Sequence, residues 1–217
     1  MNFNVHDVIV WASEHNKLSL LDKLLKISNI NSFGYPAIGS ASRKGHVEIV
    51  KRLLQDPRVD TTVDGQYAIG LASQNGHYKV VELLLKDHRV DPSFGQYAIK
   101  FASINGHLKV VDLLLKDPRG RAEPCGPKAV DPSADGQYPI RWASRKGYHE
   151  VVALLLQDSR GRAEPCGPKA VDPSAYNQYA IRHASQSGHP KVIASLLEDP
   201  RVAKLYRYNT DAEELND

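Results

Sequence analysis

An all-α array of stacked helix pairs is the fold class this sequence predicts, and three observations predict it. A unit of about thirty residues recurs along nearly the whole chain, most clearly as GQYAIGLASQNGHYKVVELLLKDHRVD from Gly65 and GQYAIKFASINGHLKVVDLLLKDPR from Gly95. A glycine holds one register position in the copies, at Gly45, Gly76, Gly106, Gly147 and Gly188, so the period runs 31, 30, 41 and 41 residues. A dense apolar set at helical spacing follows each glycine, as in Val80, Val81, Leu83, Leu84 and Leu85. Isolated helices shorter than about 12–15 residues are marginal in water, so each unit needs its neighbours to bury its apolar side.

Within one unit the order of elements is legible. Ala68–Asn75 reads as a short first helix with the small residues Ala72 and Ser73 at its centre, and Gly76 breaks it. His77–Lys86 reads as the second helix. The segment Asp-Pro-Arg then stops it in sibling copies (Asp56–Arg58, Asp117–Arg119, Asp199–Arg201), because proline cannot continue the hydrogen-bond ladder. Helix pairs should therefore end close to Asp56, Asp87, Asp117, Asp158 and Asp199. Val-Asp-Pro-Ser, as in Val90–Ser93, restarts the chain in an extended turn. The earliest copy is ASEHNKLSLLDKLLK from Ala12, which aligns with ASRKGHVEIVKRLLQ from Ala41. Six units result, near 4–31, 32–61, 62–92, 93–133, 134–174 and 175–203, forming one repeat domain over 1–203 with a short acidic tail at 204–217. The outer units are the wetter ones. The first replaces Gly-His with Asn16-Lys17 and adds Lys23 and Lys26, and the last interrupts its leucine triplet with Ser195.

These residues resemble the ankyrin repeat. The family's Thr-Pro-Leu-His opening followed by small residues corresponds to Tyr67-Ala68-Ile69-Gly70 and then Leu71-Ala72-Ser73. Its Gly-His start of the second helix is kept as Gly45-His46, Gly76-His77, Gly106-His107 and Gly188-His189. The Val-Val-x-Leu-Leu-Leu body matches at Val80–Leu85, Val110–Leu115 and Val151–Leu156. Two departures stand out: the opening has become Tyr-Ala-Ile-Lys/Arg, and the Gly-Ala-Asp turn has become Asp-Pro-Arg-Val-Asp. This dialect is similar to the divergent ankyrin arrays of large DNA viruses and protists.

The resemblance implies an all-α ankyrin-like solenoid whose function is to bind another protein, without catalysis, through a continuous concave surface. On the family pattern the partner-facing positions are the hairpin tips: Asp64 and Gln66, Phe94 and Gln96, Asp135 and Gln137, Tyr176 and Gln178. The pairs ending the first helices join them, among them Ile104/Asn105 and Arg145/Lys146. Phe94, Ile104 and Tyr176 are the expected anchors, since large apolar groups at exposed positions require a reason. Two alternatives differ in class. One is a substrate-recognition adaptor for a ubiquitin ligase, as some viral ankyrin proteins are, which needs a further recruitment module. The other is an enzyme, which needs a concave pocket gathering titratable groups.

Composition bounds the partners. A hydrophobic fraction of 41% with 24% charged residues belongs to a folded chain rather than a disordered one. The longest apolar run is Val151–Leu156, too short to span a bilayer, and the amino terminus does not read as a secretory signal. Two cysteines are too few for a disulfide framework and fit a reducing compartment. The expectation is a cytoplasmic monomer with nuclear access, not secreted. The net charge of +3 owes +1 to each of two inserts, so the repeats themselves are near neutral and no specific nucleic acid is expected.

Nine histidines invite a metal or catalytic reading. His46, His77, His107 and His189 share one register position, and a row spaced by helix packing at about 8–10 Å cannot converge on one ion. Structural polar roles are expected for them, with no metal and no cofactor. His183 takes a first-helix packing position held elsewhere by Trp11, Leu71, Phe101 and Trp142. Lys100, Arg141 and Arg182 share another position, with Arg145 and Lys146 a turn further on. They read either as a basic strip for an acidic partner or as a solvated face with stems lying over Tyr97, Tyr138 and Tyr179.

The inserts account for the longer period. RGRAEPCGPKAVDPSA occurs unchanged at Arg119–Ala134 and Arg160–Ala175, although the segments that follow, Asp135–Ser159 and Tyr176–Pro200, agree at only 12 of 25 positions. Each adds GRAEPCGPKA, a Gly- and Pro-rich irregular loop carrying Cys125 or Cys166, at a place where a repeat array tolerates length. The loops read as tolerated passengers or, alternatively, as a matched pair of binding fingers.

Overall fold

The computed structural model describes residues 4–26, 35–59, 64–119, 130–158 and 171–204. The inserted decapeptides and the acidic tail read from the sequence lie outside the described residues. No strand occurs among those described, and none of their helices is long and apolar enough to cross a membrane.

The helices come in pairs. They are α1 (Val5–Glu14) and α2 (Leu18–Leu25), α3 (Tyr35–Lys44) and α4 (Val47–Leu54), α5 (Asp64–Gln74) and α6 (Tyr78–Lys86). They continue as α7 (Tyr97–Ile104) and α8 (Leu108–Lys116), α9 (Ala134–Lys146) and α10 (His149–Gln157), α11 (Ala175–Gln186) and α12 (Pro190–Leu197). A single 3₁₀ turn, Phe94–Gln96, precedes α7. Second helices stop where the sequence places the stop: the residue capping α6, α8 and α10 is Asp87, Asp117 and Asp158.

The break inside each pair is conformational. Gly45, Gly76, Gly106, Gly147 and Gly188 all sit at φ between 70° and 81°, and Asn16 takes the same role in the first pair at φ 56°. L-residues avoid this region because Cβ crowds the backbone, which is why glycine recurs there. The backbone N–H one residue later closes the turn onto the first helix, as from His77 to Ala72 O at 3.0 Å.

The chain forms two compact units, Met1–Ala102 and Ser103–Asp217. In the first, α1, α3 and α5 pack in series while α2, α4 and α6 form a second row. In the second, α9 packs on α11, and α10 lies between α8 and α12. The core is built from isoleucines and alanines of the first helices (Ile38, Ile69, Ile99, Ile140 and Ile181 among them) and from the valines and central leucine of the second helices, such as Val80, Val81 and Leu84. All of these side chains are fully buried or nearly so. Ser42, Ser73 and Ser144 are buried in the same rows with no hydrogen-bond partner among the described atoms, so their contribution there is small size, which lets helices approach.

The Asp-Pro-Arg segments, and Asp87-His88-Arg89 in their register, do more than stop a helix. In each, the aspartate clamps the arginine two residues on: Asp56 takes Arg58 Nε at 2.8 Å and Nη2 at 2.7 Å, and Asp87, Asp117 and Asp199 do the same with Arg89, Arg119 and Arg201. The clamped guanidinium then reaches the preceding second helix, Arg58 Nη2 donating to Leu25 O at 2.6 Å and Arg89 Nη2 to Leu54 O at 3.1 Å. Those carbonyls are orphans of a helix end, so each staple satisfies one and ties neighbouring pairs together. Hydrogen bonds from Arg58 and Arg89 hold the Asp56 and Asp87 carboxyls below the usual aspartate range, outweighing the burial that pushes them up. A carboxylate that is more acidic folded than unfolded stabilises the fold above its unfolded pKa of about 3.9, and that stability is lost as pH falls through the folded value. The urea midpoint is therefore expected to drop as pH falls from about 5 towards 2, and the Asp56→Asn/Asp87→Asn variant should show a shallower drop. Equal slopes for the two proteins would remove the staples from the account.

Two expectations are corrected by the packing. Gln137 and Gln178, placed at outward hairpin tips from the sequence, are buried, at 9% and 4% exposure. Runs of left-handed residues cause this: Asp135-Gly136-Gln137 at φ 49°, 65° and 66°, and Tyr176-Asn177-Gln178 at 56°, 54° and 54°. They turn the glutamines inward, where Gln137 Oε1 accepts the Asp172 backbone N–H at 2.9 Å. The position shared by Trp11, Leu71, Phe101, Trp142 and His183 is not core either. Trp11 is exposed, the others are half-buried, and the rings of Phe101, Trp142 and His183 lie on Tyr97, Tyr138 and Tyr179 one helical turn earlier.

Candidate functional site

The outward side of the first helices is where the two units carry most of their unusual chemistry. In the first unit, Tyr67 and Tyr97 occupy the same register position on α5 and α7, and both stay exposed, at 41% and 39%. Phe94 sits between them at 37% exposure, its ring centroid 5.5 Å from Tyr67 edge-on and 6.1 Å from Tyr97. Tyr97 in turn stacks on Phe101 at 5.9 Å. Gly95 makes this possible twice over. It takes φ 54°, and a Cβ there would lie 2.6 Å from the Tyr97 ring. Gly70 clears the floor between the two helices, with only Tyr97 Cβ near it, at 3.5 Å. The result is a cleft of about 190 Å³ lined by Gln66, Tyr67, Gly70, Leu71, Gln74, Tyr97 and Phe101.

The second unit presents a different face. On α9, Tyr138, Arg141, Trp142 and Arg145 fall at i, i+3, i+4 and i+7, a single stripe of a helix. On α11, Tyr179, Arg182 and His183 fall likewise. Arg141 lies between two rings, its Cζ 4.3 Å from the Tyr176 centroid and 4.4 Å from that of Tyr179. Arg145 lies over Trp142 at 4.9 Å; in the first unit, Lys100 of α7 lies over Tyr97, also at 4.9 Å. Cationic stems over tyrosines, one of the two sequence readings of this strip, thus occur at Tyr97 and Tyr179. Burial, then the charges of Arg145, Arg182 and Arg141, hold the His183 imidazole below its ordinary pKa.

The sequence-derived residues separate on this map. Phe94 and Tyr176 are exposed, Tyr176 most of all at 59%, and Asp135, Arg145 and Lys146 are exposed with them. Gln66, Gln96 and Ile104 are half-buried, and Gln66 lines the aromatic cleft. Asp64 starts α5, with its side chain outside the described residues. Tyr67, Tyr97 and Phe101, which line the cleft, are not among the partner-facing positions expected from the sequence. Tyr67 and Tyr97 recur as the tyrosine of the Tyr-Ala-Ile opening, and recurrence reads as scaffold until exposure is known.

The histidine row is structural. Nε2 of His46, His77 and His189 lies 2.9, 2.9 and 3.1 Å from the carbonyls of Glu14, Arg43 and Arg145, each at the end of the preceding first helix. Each of these rings is committed to joining one helix pair to the pair before it.

A family model of ankyrin repeats in three copies matches residues 9–93 and 99–207, and a second model of many ankyrin copies matches 72–115. No curated protein matches the chain.

Proposed function

The chain belongs to the ankyrin repeat family, and from that premise we propose that it binds another protein through the outward faces of its first helices and the tips that precede them. Ankyrin repeats are in general protein–protein interaction modules and typically carry no catalysis of their own. The observation that carries the reading is the aromatic cleft of the first unit. Tyr67 and Tyr97 line the depression and Phe94 packs against both, and all three rings are more than a third exposed. Water gains nothing from such a cluster, whereas tyrosine and other aromatic anchors dominate binding energy at protein interfaces. At about 190 Å³ the cleft falls below the ~300–1,000 Å³ of small-molecule sites, and suits one apolar side chain of a partner. In this proposal Asp64, Gln66 and Gln96 contribute around the cleft, and Ile104 is a contact of the second unit.

The test is capture from a cell lysate with the full chain as bait, against the Phe94→Ala/Tyr97→Ala variant. Loss of the captured proteins, with melting temperature and helical signal kept, is the expected result, because truncating a central anchor costs about 2 kcal/mol or more in binding. Unchanged capture by the variant would overturn the cleft as the anchoring site.

A further inference from the structure

We propose that the outward face of α9 and α11 in the second unit is a docking strip for an acidic peptide segment of a partner protein, held by Arg141, Arg145 and Arg182. The inference rests on the protein-binding reading and adds the chemistry of what is bound.

Charge left without a counterion carries it. Three other cations of the unit are paired in place: Lys116 with Asp112 at 2.7 Å, Arg119 with Asp117 at 2.6 Å and Arg201 with Asp199 at 2.7 Å. Arg141, Arg145 and Arg182 make no ion pair among the described residues, although they lie on two packed helices. α9 and α11 contain one carboxylate between them, Asp135, and it sits in the left-handed run before the helical part of α9. Three guanidiniums with so few acids nearby cost repulsion in the free protein, and an acidic ligand relieves it.

Arg141 is also preorganised. Its guanidinium is sandwiched by Tyr176 and Tyr179, and Nη1 donates to Gly136 O at 3.1 Å. Its Nε is buried without a hydrogen-bond partner. Gly136 is glycine for this reason among others, since a Cβ there would collide with the Tyr176 hydroxyl. A guanidinium clamped by stacking has already lost its rotamer freedom, so little further entropy is lost when its remaining donors meet a carboxylate. Arg145 over Trp142 repeats the arrangement in a more open form.

The occupant is a peptide rather than a nucleic acid. Three cations on a chain of net charge +3 are far from the continuous phosphate-tracking groove that a polynucleotide needs. Two or three carboxylates spaced along an extended segment match them in number.

The probe is a fluorescein-labelled peptide of alternating Glu and Ala, titrated into the full chain and followed by anisotropy at low and raised salt. Saturable binding that weakens with salt is expected, with a loss of about tenfold or more in the Arg145→Gln/Arg182→Gln variant. Both side chains are exposed, so this variant should keep its melting temperature. The Phe94→Ala/Tyr97→Ala variant, altered only in the first unit, should bind the peptide as the unaltered chain does, which separates failure of the strip from failure of the cleft. No binding by the unaltered protein, equal binding by the arginine variant, equal binding of a Lys-Ala peptide, or tighter binding of a single-stranded oligonucleotide would each overturn the proposal.

Discussion

Leu53→Ala and Leu155→Ala are each expected to destabilise the protein by about 2–5 kcal/mol, and Leu25→Ala by clearly less. Leu53 and Leu155 are fully buried. Each lies on a second helix packed between two others, α4 between α2 and α6, and α10 between α8 and α12. Removing three carbons there takes away apolar contact with neighbours on both sides and leaves a cavity that two packed helices cannot both close. Leu25 is on α2, whose one second-helix neighbour among the described residues is α4, so its surroundings can relax into the space. Urea midpoints on the three variants decide it. An equal shift for Leu25 would contradict nearest-neighbour stacking as the source of stability.

Alanine at Gly45 or Gly147 is expected to cost about 2–3 kcal/mol, against roughly 1–2 kcal/mol at Gly188. The three glycines share the same left-handed conformation, at φ 75°, 81° and 70°, so the backbone strain of a Cβ is the same in each. They differ in what that Cβ would meet. At Gly45 it would lie 2.6 Å from His77 Nδ1, and at Gly147 2.7 Å from His189 Nδ1, whereas nothing lies within 4 Å at Gly188. In the first two the imidazole must move, and its bond to the carbonyl of Arg43 or Arg145 goes with it. Gly188→Ala is thus the internal control for strain alone. Thermal melts that show the same loss at all three positions would mean that the approach of the next ring contributes nothing.

Much of the binding surface was legible as position and little of it as exposure. Phe94 and Tyr176 stand out in the sequence as large apolar groups at tip positions, and both are exposed. Gln137 and Gln178 hold the same register as Gln66 and Gln96, so pattern alone gave them one fate. The left-handed runs before them send them inward instead, and no local propensity announces three successive left-handed residues that include Gln, Asn and Tyr. The sequence marks Arg58 only as part of a helix stop and gives Arg89 no role. Their reach to Leu25 O and Leu54 O spans more than thirty residues of sequence, beyond any local pattern.

The sequence by itself determined the helix pairs, their glycine breaks and their aspartate stops, because these depend on interactions within one or two turns: periodicity of apolar residues, a conformation only glycine takes easily, a proline that cannot donate. The tertiary structure alone decided which outward faces became aromatic and which basic, which glutamines were buried, and which rings settled on the glycines of the neighbouring pair. Those outcomes depend on side chains from adjacent repeats meeting across a seam, and each repeat's sequence is silent about the contacts that its neighbour supplies.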